Sequence, residues 1–182
     1  MQKGLTLSLY GLLVAAIAGC TGTTVRPSTT QQVVPKSYTE AVISEITGSD
    51  ELWHNYTVEI RRELISTLTA SQAFTQVSDS TPTPSTNVVI VKGQITEVEK
   101  GSAAARWIVG FGAGRAHITA DVHLTDSNGA SLADYSVRKT YAGGAGIGGA
   151  GFLDMDDLAQ KLGKEAADSL AEWAKTGKFA AR

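Results

Sequence analysis

Two long segments of the chain repeat apolar residues every three or four positions, which is the spacing of an amphipathic helix. The first predicted helix spans Asp50 to about Ala73, with Ser49 or Asp50 as its N-terminal cap. Its apolar stripe comprises Leu52, Trp53, Tyr56, Val58, Ile60, Leu64 and Leu68. The closing helix spans about Asp154 to Thr176. Its stripe comprises Leu158, Leu162, Ala166, Leu170 and Trp173. We expect both stripes to pack against the core.

The segments around these helices have the patterns of strands. Residues 88–91 are four consecutive β-branched residues, which predicts a strand buried on both faces at the centre of a sheet. Residues 115–125 alternate strictly between apolar and polar, and the Asn128-Gly129 pair that follows predicts a hairpin turn with positive φ values. The predicted strands are Tyr38–Ile46, Phe74–Val77, Asn87–Val98, Arg115–Thr125 and Ala133–Tyr141.

This order of elements predicts an α+β fold, in which two helices pack on a mostly antiparallel sheet of four to five strands. The predicted domain spans residues 38–182 and has the usual length of a single domain. Residues 20–37 are rich in Thr, Ser, Gln and Pro without any periodicity. We therefore expect them to form a flexible tether in front of the domain.

The first nineteen residues have the layout of a signal peptide. Lys3 precedes an uncharged apolar run of about thirteen residues, which is too short to span a hydrocarbon core that needs about twenty. Ile17-Ala18-Gly19-Cys20 resembles the lipobox of bacterial lipoproteins, which implies cleavage before Cys20 and acylation of Cys20. Thr21 stands where Asp would favour retention in the inner membrane, so we expect a lipid anchor on the periplasmic face of the outer membrane. An ordinary signal peptide with an incidental Cys20 is the alternative.

Charge and cysteine content narrow the chemistry available to the domain. The chain has 16 basic and 18 acidic residues and no basic cluster, which argues against nucleic acid as a partner. Cys20 is the only cysteine. The mature domain therefore has no disulfide, no thiolate metal cluster and no cysteine nucleophile of its own.

A stretch before the alternating strand resembles a known family. Gly101-Ser-Ala-Ala-Ala-Arg106 has the form G-x-x-A-A-R, Gly110-Phe-Gly-Ala-Gly114 follows it, and the next strand ends in Asp126 before a glycine turn. These motifs resemble those of bacterial envelope lipoproteins grouped as domain-of-unknown-function family 4410. The resemblance covers about residues 38 to the last helix. It implies an anchored α/β domain of undetermined activity, without catalytic residues to carry over.

Two segments are candidates for binding. Gly144-x-Gly146-x-x-Gly149 matches a dinucleotide fingerprint, but the chain lacks the second parallel strand that such a unit needs after its helix. We interpret residues 142–151 as a glycine-rich loop that could close over a ligand. Arg106 and Trp107 together could offer a planar recognition patch, but we favour the alternative, a surface arginine beside a core tryptophan.

The polar side of the alternating strand carries His117, Thr119, Asp121 and His123. Asp121 and His123 are about 7 Å apart along a strand, whereas His117 is about 20 Å from His123. Two ligands make a poor metal site. We therefore interpret these residues as a solvated strand face and predict neither a metal nor a cofactor.

The sequence also lacks the hydrolase motifs G-x-S-x-G and H-E-x-x-H. The leading hypothesis is thus a non-catalytic, lipid-anchored envelope lipoprotein that binds another envelope component. Lipoproteins that activate peptidoglycan synthases share this plan, so a peptidoglycan-related protein is one expected partner, by analogy alone. The alternative is a small-ligand-binding domain that uses the loop 142–151.

Overall fold

The computed structural model describes residues 22–28, 38–80, 86–101, 115–141 and 154–179. The predicted signal peptide, residues 1–19, and the predicted lipidation site, Cys20, lie outside these ranges. Among the described residues, no helix has the length and apolar character needed to cross a membrane.

The described chain forms six strands and two helices, which confirms the α+β class and the two predicted helices. The strands are β1 Gly22–Pro27, β2 Glu40–Gly48, β3 Gln76–Ser78, β4 Val88–Glu99, β5 His117–Thr125 and β6 Ser131–Thr140. The helices are α1 His54–Ser71 and α2 Met155–Thr176, and a single 3-10 turn, Glu51–Trp53, precedes α1.

The strands form one sheet in the order β1-β6-β5-β4-β2-β3. The pairs β1–β6, β6–β5 and β5–β4 are antiparallel, whereas β2 is parallel to both β3 and β4. The sheet is therefore mixed and has six strands, rather than the four to five predicted. Its parallel part arises because α1 crosses over between β2 and β3 and returns the chain in the same direction.

The additional strand is β1, which lies within the predicted flexible tether. It pairs with β6 from Gly22 to Pro27, and Ser28 N donates to Asp134 O at 2.8 Å. Val25 is 4% exposed and belongs to the core. The prediction of a tether is therefore wrong for residues 22–28. Although this segment is short and mostly polar, every second side chain of a strand points to the same face, so Val25 packs into the core when the segment pairs with β6. Residues 29–37 lie outside the described ranges.

Both helices pack on one face of the sheet and run in the same direction. Gln160 of α2 donates to Glu59 of α1 at 2.9 Å, and near the other end Lys175 donates to the Ser71 carbonyl at 3.0 Å. Between the helices and the sheet, Tyr135 is fully buried and its hydroxyl donates to the Ala166 carbonyl at 2.9 Å. Burial raises the pKa of the Tyr135 hydroxyl far above its usual value.

The predicted core is correct for most of its members. The apolar side of β5 is buried throughout, as is the whole stripe of α2. Leu52 and Val58, however, are 82% and 50% exposed, so their assignment to the first stripe was wrong. Leu52 lies in the 3-10 turn, whose tighter winding shifts its side chain out of phase with α1. Val58 is two positions, or about 200°, from each of its buried neighbours Tyr56 and Ile60.

The hairpin between β5 and β6 is confirmed, with a different turn geometry. A positive φ of 82° occurs at Gly129 and not at Asn128. The Asp126 carboxylate accepts from Asn128 N at 2.8 Å and from Ala130 N at 2.9 Å. The ladder register shifts by one residue beside this loop. This is a longer loop closed by an aspartate rather than a two-residue turn.

Candidate functional site

The face of the sheet opposite the helices carries polar side chains on β4, β5 and β6, and we call it the polar face. The antiparallel register aligns these side chains into rows across the strands. One row joins Glu97, Thr119 and Arg138, and the next joins Glu99, His117 and Thr140. Ionisable groups from three strands therefore meet near one end of the sheet.

A bulge in β4 brings Glu97 into this position. Ile95 is fully buried on the core face, so strict alternation would place Glu97 on that face as well. The register between β4 and β5 shifts between Ile95 and Glu97, leaving Thr96 as the extra residue. The bulge moves Glu97 to the polar face and returns Val98 to the core side.

Glu97, His117, Thr119 and Arg138 form what we call the Glu97 cluster. Glu97 Oε1 lies 3.0 Å from His117 Nε2, and Glu97 Oε2 lies 3.3 Å from an Arg138 guanidinium nitrogen. The Thr119 hydroxyl donates to Glu97 Oε2 at 3.3 Å, and Arg138 also contacts His117 Nε2. The side chains of Glu97 and Arg138 are 51% and 44% exposed. The cluster is thus fixed by the register yet open to solvent.

The imidazole of His117 is positioned by the backbone. Its Nδ1 lies 3.2 Å from the Arg115 carbonyl oxygen, which can only accept a hydrogen bond. Nδ1 therefore carries a proton, and Nε2 faces both a donor, Arg138, and an acceptor, Glu97. The neutral ring accepts from Arg138, and the protonated ring donates to Glu97. This arrangement suits charge recognition, since a carboxylate, a guanidinium and an imidazole are held together at a surface.

The cluster keeps Glu97 in its anionic form. The hydrogen bond from His117, with the charges of His117 and Arg138 and the Thr119 hydroxyl, holds the pKa of the Glu97 carboxyl below its usual value of 4.5. Because the folded-state pKa is lowered, the carboxylate stabilises the fold above about pH 4.5. That stabilisation is lost as the pH falls through the lowered folded-state pKa.

We expect Glu97→Gln to lower the free energy of unfolding at pH 7 by less than about 1 kcal/mol, because the group is half exposed. The difference from the wild-type protein should vanish as the pH falls well below 4.5. Urea unfolding followed by circular dichroism between pH 3 and 7 measures both effects. Glu45→Gln removes an exposed carboxylate of β2 outside the cluster and is the control. A difference that is constant with pH would contradict this account.

A second polar group lies further along the same face. His123 Nδ1 is 2.7 Å from Asp134 Oδ1, and the Ser131 hydroxyl is 3.4 Å from Asp134 Oδ2. The carboxylate lies between the serine and the histidine, so the histidine is not placed to activate the hydroxyl. His117, Asp121 and His123 lie on one strand face, as predicted. Among the described residues, no group of three or more His, Cys, Asp or Glu could hold a metal ion.

The binding residues predicted from the sequence lie outside the described ranges, namely Arg106, Trp107, Gly144, Gly146 and Gly149. The structure does show where their segments leave the sheet. One row of paired residues crosses β1, β6, β5 and β4 at this point, and it consists of Gly22, Thr140, His117 and Glu99. Just beyond this row, Tyr141 N donates to the Ala116 carbonyl. Residues 102–114 and 142–153 therefore attach at the end where β1 begins, which we call the Gly22 end. The Glu97 cluster spans this row, which contains His117, and the next row, which contains Glu97, Thr119 and Arg138.

Sequence reasoning missed the Glu97 cluster as a unit. The alternation of β5 predicted that His117 and Thr119 share the polar face, and this is confirmed. Glu97 and Arg138 reach them through a bulge and a cross-strand register. A search for opposite charges on neighbouring strands would have found Arg138, but no signal in the sequence marks the bulge.

The comparison with protein families agrees with the resemblance that the sequence motifs indicate. Residues 30–145 match the model described as "Domain of unknown function (DUF4410)". The chain belongs to this family. The match confirms the resemblance to this family that was inferred from the motifs in Gly101–Asp126. It also covers β2 to β6 of this DUF4410 protein. No curated protein matches the chain.

Solved structures add a likeness of fold. The PelC dodecamer from Paraburkholderia phytofirmans is 16% identical, and the match covers 79% of the DUF4410 chain and 94% of PelC, with a TM-score of 0.50. A single-substitution variant of that PelC dodecamer is 15% identical, with coverages of 79% and 95% and a TM-score of 0.49. At this identity the likeness shows a shared fold alone.

Proposed function

We propose that the chain is a non-catalytic, lipid-anchored bacterial envelope lipoprotein whose polar face binds another envelope component, either an envelope protein or a peptidoglycan-related partner. Lipid on Cys20 holds it on the periplasmic side of the outer membrane. The observation that carries partner binding is the Glu97 cluster. Its carboxylate and guanidinium are fixed by the sheet register, half exposed, and located on the face that the helices leave uncovered.

The chemistry of the Glu97 cluster favours recognition over catalysis. Its carboxylate is paired with a guanidinium and its pKa is lowered, whereas a general acid or base at neutral pH usually has a pKa moved toward 7. Such a fixed charge pair favours orientation and specificity toward a partner with complementary charges. The alternative, a small-ligand site in residues 142–151, stays a prediction, since these residues lie outside the described ranges.

The anchor is tested by Cys20→Ser. We expect the wild-type protein to fractionate with outer membranes and to incorporate a palmitate label, and the variant to do neither, because two or three acyl chains are needed for stable anchoring. Density-gradient fractionation with acyl-label detection measures this result. A Cys20→Ser protein that stays with the membranes would refute the proposed anchor.

Partner binding is tested by photo-crosslinking in intact cells. A crosslinkable residue at Gln94, exposed on the polar face beside Asp121, should capture one dominant envelope component. The same residue at Ser66, exposed on α1, is the matched control and should capture none. Arg138→Glu should abolish the Gln94 product, because it places like charges together in the cluster. Identical products from both positions, or none from Gln94, would contradict binding by the polar face.

A further inference from the structure

The Gly22 end of the sheet receives the chain directly from Cys20. Gly22 is the first residue of β1 and lies two positions after Cys20. Two extended residues span at most about 7 Å. A lipid on Cys20 is therefore attached within about 7 Å of the paired backbone of the sheet.

Strand β1 is held in the sheet by contacts on its core side. Val25 is 4% exposed, opposite the fully buried Val137 of β6. Thr23 Oγ1 accepts from the Lys139 ammonium at 2.6 Å and donates to Glu165 Oε1 of α2 at 3.0 Å. Lys139 and Glu165 are themselves 2.9 Å apart, with side chains 7% and 19% exposed. This largely buried ionic contact joins β1 to both β6 and α2, within three residues of Cys20.

Both helices also begin near the Gly22 end. Strand β2 is parallel to β4 and runs toward this end, and α1 starts six residues after Gly48. Helix α2 runs parallel to α1, so its first turn lies on the same side of the domain. Leu52, 82% exposed, lies in the turn before α1. It is the more exposed of the two large apolar side chains that the described chain leaves in solvent, the other being Val58.

We propose that the Gly22 end lies directly on the lipid bilayer and that β1, because it is paired into the sheet, holds the domain in one fixed orientation instead of acting as a flexible linker. This inference rests on the proposed lipidation of Cys20. The strands then run away from the membrane, and the turn Asp126–Gly129 lies at the far end. Strand β5 spans eight residue steps between the two ends, or about 27 Å. Leu52 lies at the headgroup level, and the polar face stands upright beside the bilayer, open to a partner.

The charged side chains at the Gly22 end determine which lipid headgroups this end can contact. Asp154, Asp156 and Asp157 surround the start of α2, and Glu51 lies at the start of the 3-10 turn. Glu99, Lys100 and Arg115 are exposed at the strand ends. The carboxylates outnumber the two cations, so this end repels anionic headgroups. Contact is thus driven by the covalent lipid and by Leu52, and it suits zwitterionic headgroups such as phosphatidylethanolamine.

The orientation is tested on the full lipidated protein in liposomes of phosphatidylethanolamine and phosphatidylcholine with headgroup spin-labelled lipid. Cys20 is the only cysteine and its thiol carries the lipid, so a cysteine introduced elsewhere is labelled uniquely with a fluorophore. Lys100→Cys places the label at the Gly22 end, and Asn128→Cys places it in the distal turn; both positions are exposed. We expect several-fold stronger quenching at position 100 than at position 128.

The role of β1 is tested by Val25→Asp, which puts a carboxylate in the core position of the strand and should release it. Thr24→Asp, on the polar face of the same strand, is the matched control. In the Lys100→Cys background, Val25→Asp should lose the quenching while the protein still floats with the liposomes, and Thr24→Asp should retain it. Unchanged quenching in Val25→Asp would show that the pairing of β1 does not fix the orientation of the domain.

Flotation separates this inference from the proposed function. Weak quenching at both positions, or equal quenching at both, in a protein that floats would overturn the orientation and leave the anchor intact. A wild-type protein that does not float would refute the anchor, and the orientation with it.

Discussion

Trp173→Ala should lower the free energy of unfolding by about 3–5 kcal/mol, the range for removing a large buried aromatic side chain. Trp173 is 1% exposed in the last third of α2. Its ring stacks on Phe179 with centroids 6.2 Å apart and on Tyr38 with centroids 6.1 Å apart. One side chain therefore joins the end of α2, the segment after it and the segment before β2. Its loss leaves a cavity at a junction of three segments.

Urea unfolding followed by far-ultraviolet circular dichroism measures the effect, since tryptophan fluorescence changes with the substitution itself. Trp53→Ala is the control: it removes the same side chain from a half-buried position and should cost clearly less. Trp173→Phe keeps a stacking partner for Tyr38 and Phe179 and should cost roughly 1–2 kcal/mol. If Trp173→Ala costs no more than Trp53→Ala, this junction does not stabilise the domain as described.

Local periodicity was sufficient to predict the elements whose packing follows from their own sequence. Helix α2 has the predicted stripe and ends at the predicted Thr176, and its observed cap is equally local: Asp154 accepts from Asp156 N and Asp157 N, and Gly177 closes the helix with a φ of 74°. These signals act within a few residues and need no knowledge of the rest of the fold. The same holds for β4, whose β-branched run is buried between β2 and β5.

Features that depend on a distant partner could not be predicted in this way. Strand β1 has only one large apolar residue, Val25, and it pairs with β6, which follows more than a hundred residues later in the sequence. The ionic contact that holds Thr23 likewise joins residues 23, 139 and 165. A polar edge segment of six residues resembles a tether until the sheet edge that it completes is known.

The candidate site likewise combines features that the local sequence predicts with features that depend on distant residues. One strand's alternation places His117 and Thr119 on a common face, because side chains of a strand repeat every two residues. Glu97 joins them only because β4 bulges at Thr96, and Arg138 joins them only because the hairpin loop sets the β5–β6 register. Neither the bulge nor the register follows from the local pattern of apolar residues.

Gly163→Leu should be the second strongly destabilising change, at roughly 3 kcal/mol or more, with Gly163→Ala costing about 1–2 kcal/mol. A Cβ at Gly163 would lie 2.7 Å from the Ile60 carbonyl oxygen and 3.1 Å from both Ile60 Cα and Glu63 Cβ. Most of these atoms are backbone of α1, so relief requires the two helices to separate. In an isolated helix the same change to alanine would stabilise by about 1 kcal/mol, so the sign of the effect reports the helix contact.

Gly93→Ala offers a control at the same distance. A Cβ at Gly93 would also meet an atom at 2.7 Å, but that atom is Ile46 Cδ1, the far end of a flexible side chain. A rotation of Ile46 relieves the contact, so we expect a change within about 1 kcal/mol of zero. Thermal and urea unfolding of the two alanine variants give the comparison directly. A stabilised Gly163→Ala protein would show that α1 and α2 do not approach as closely as described. A penalty at Gly163 with none at Gly93 would show that backbone contact between the two parallel helices fixes their separation.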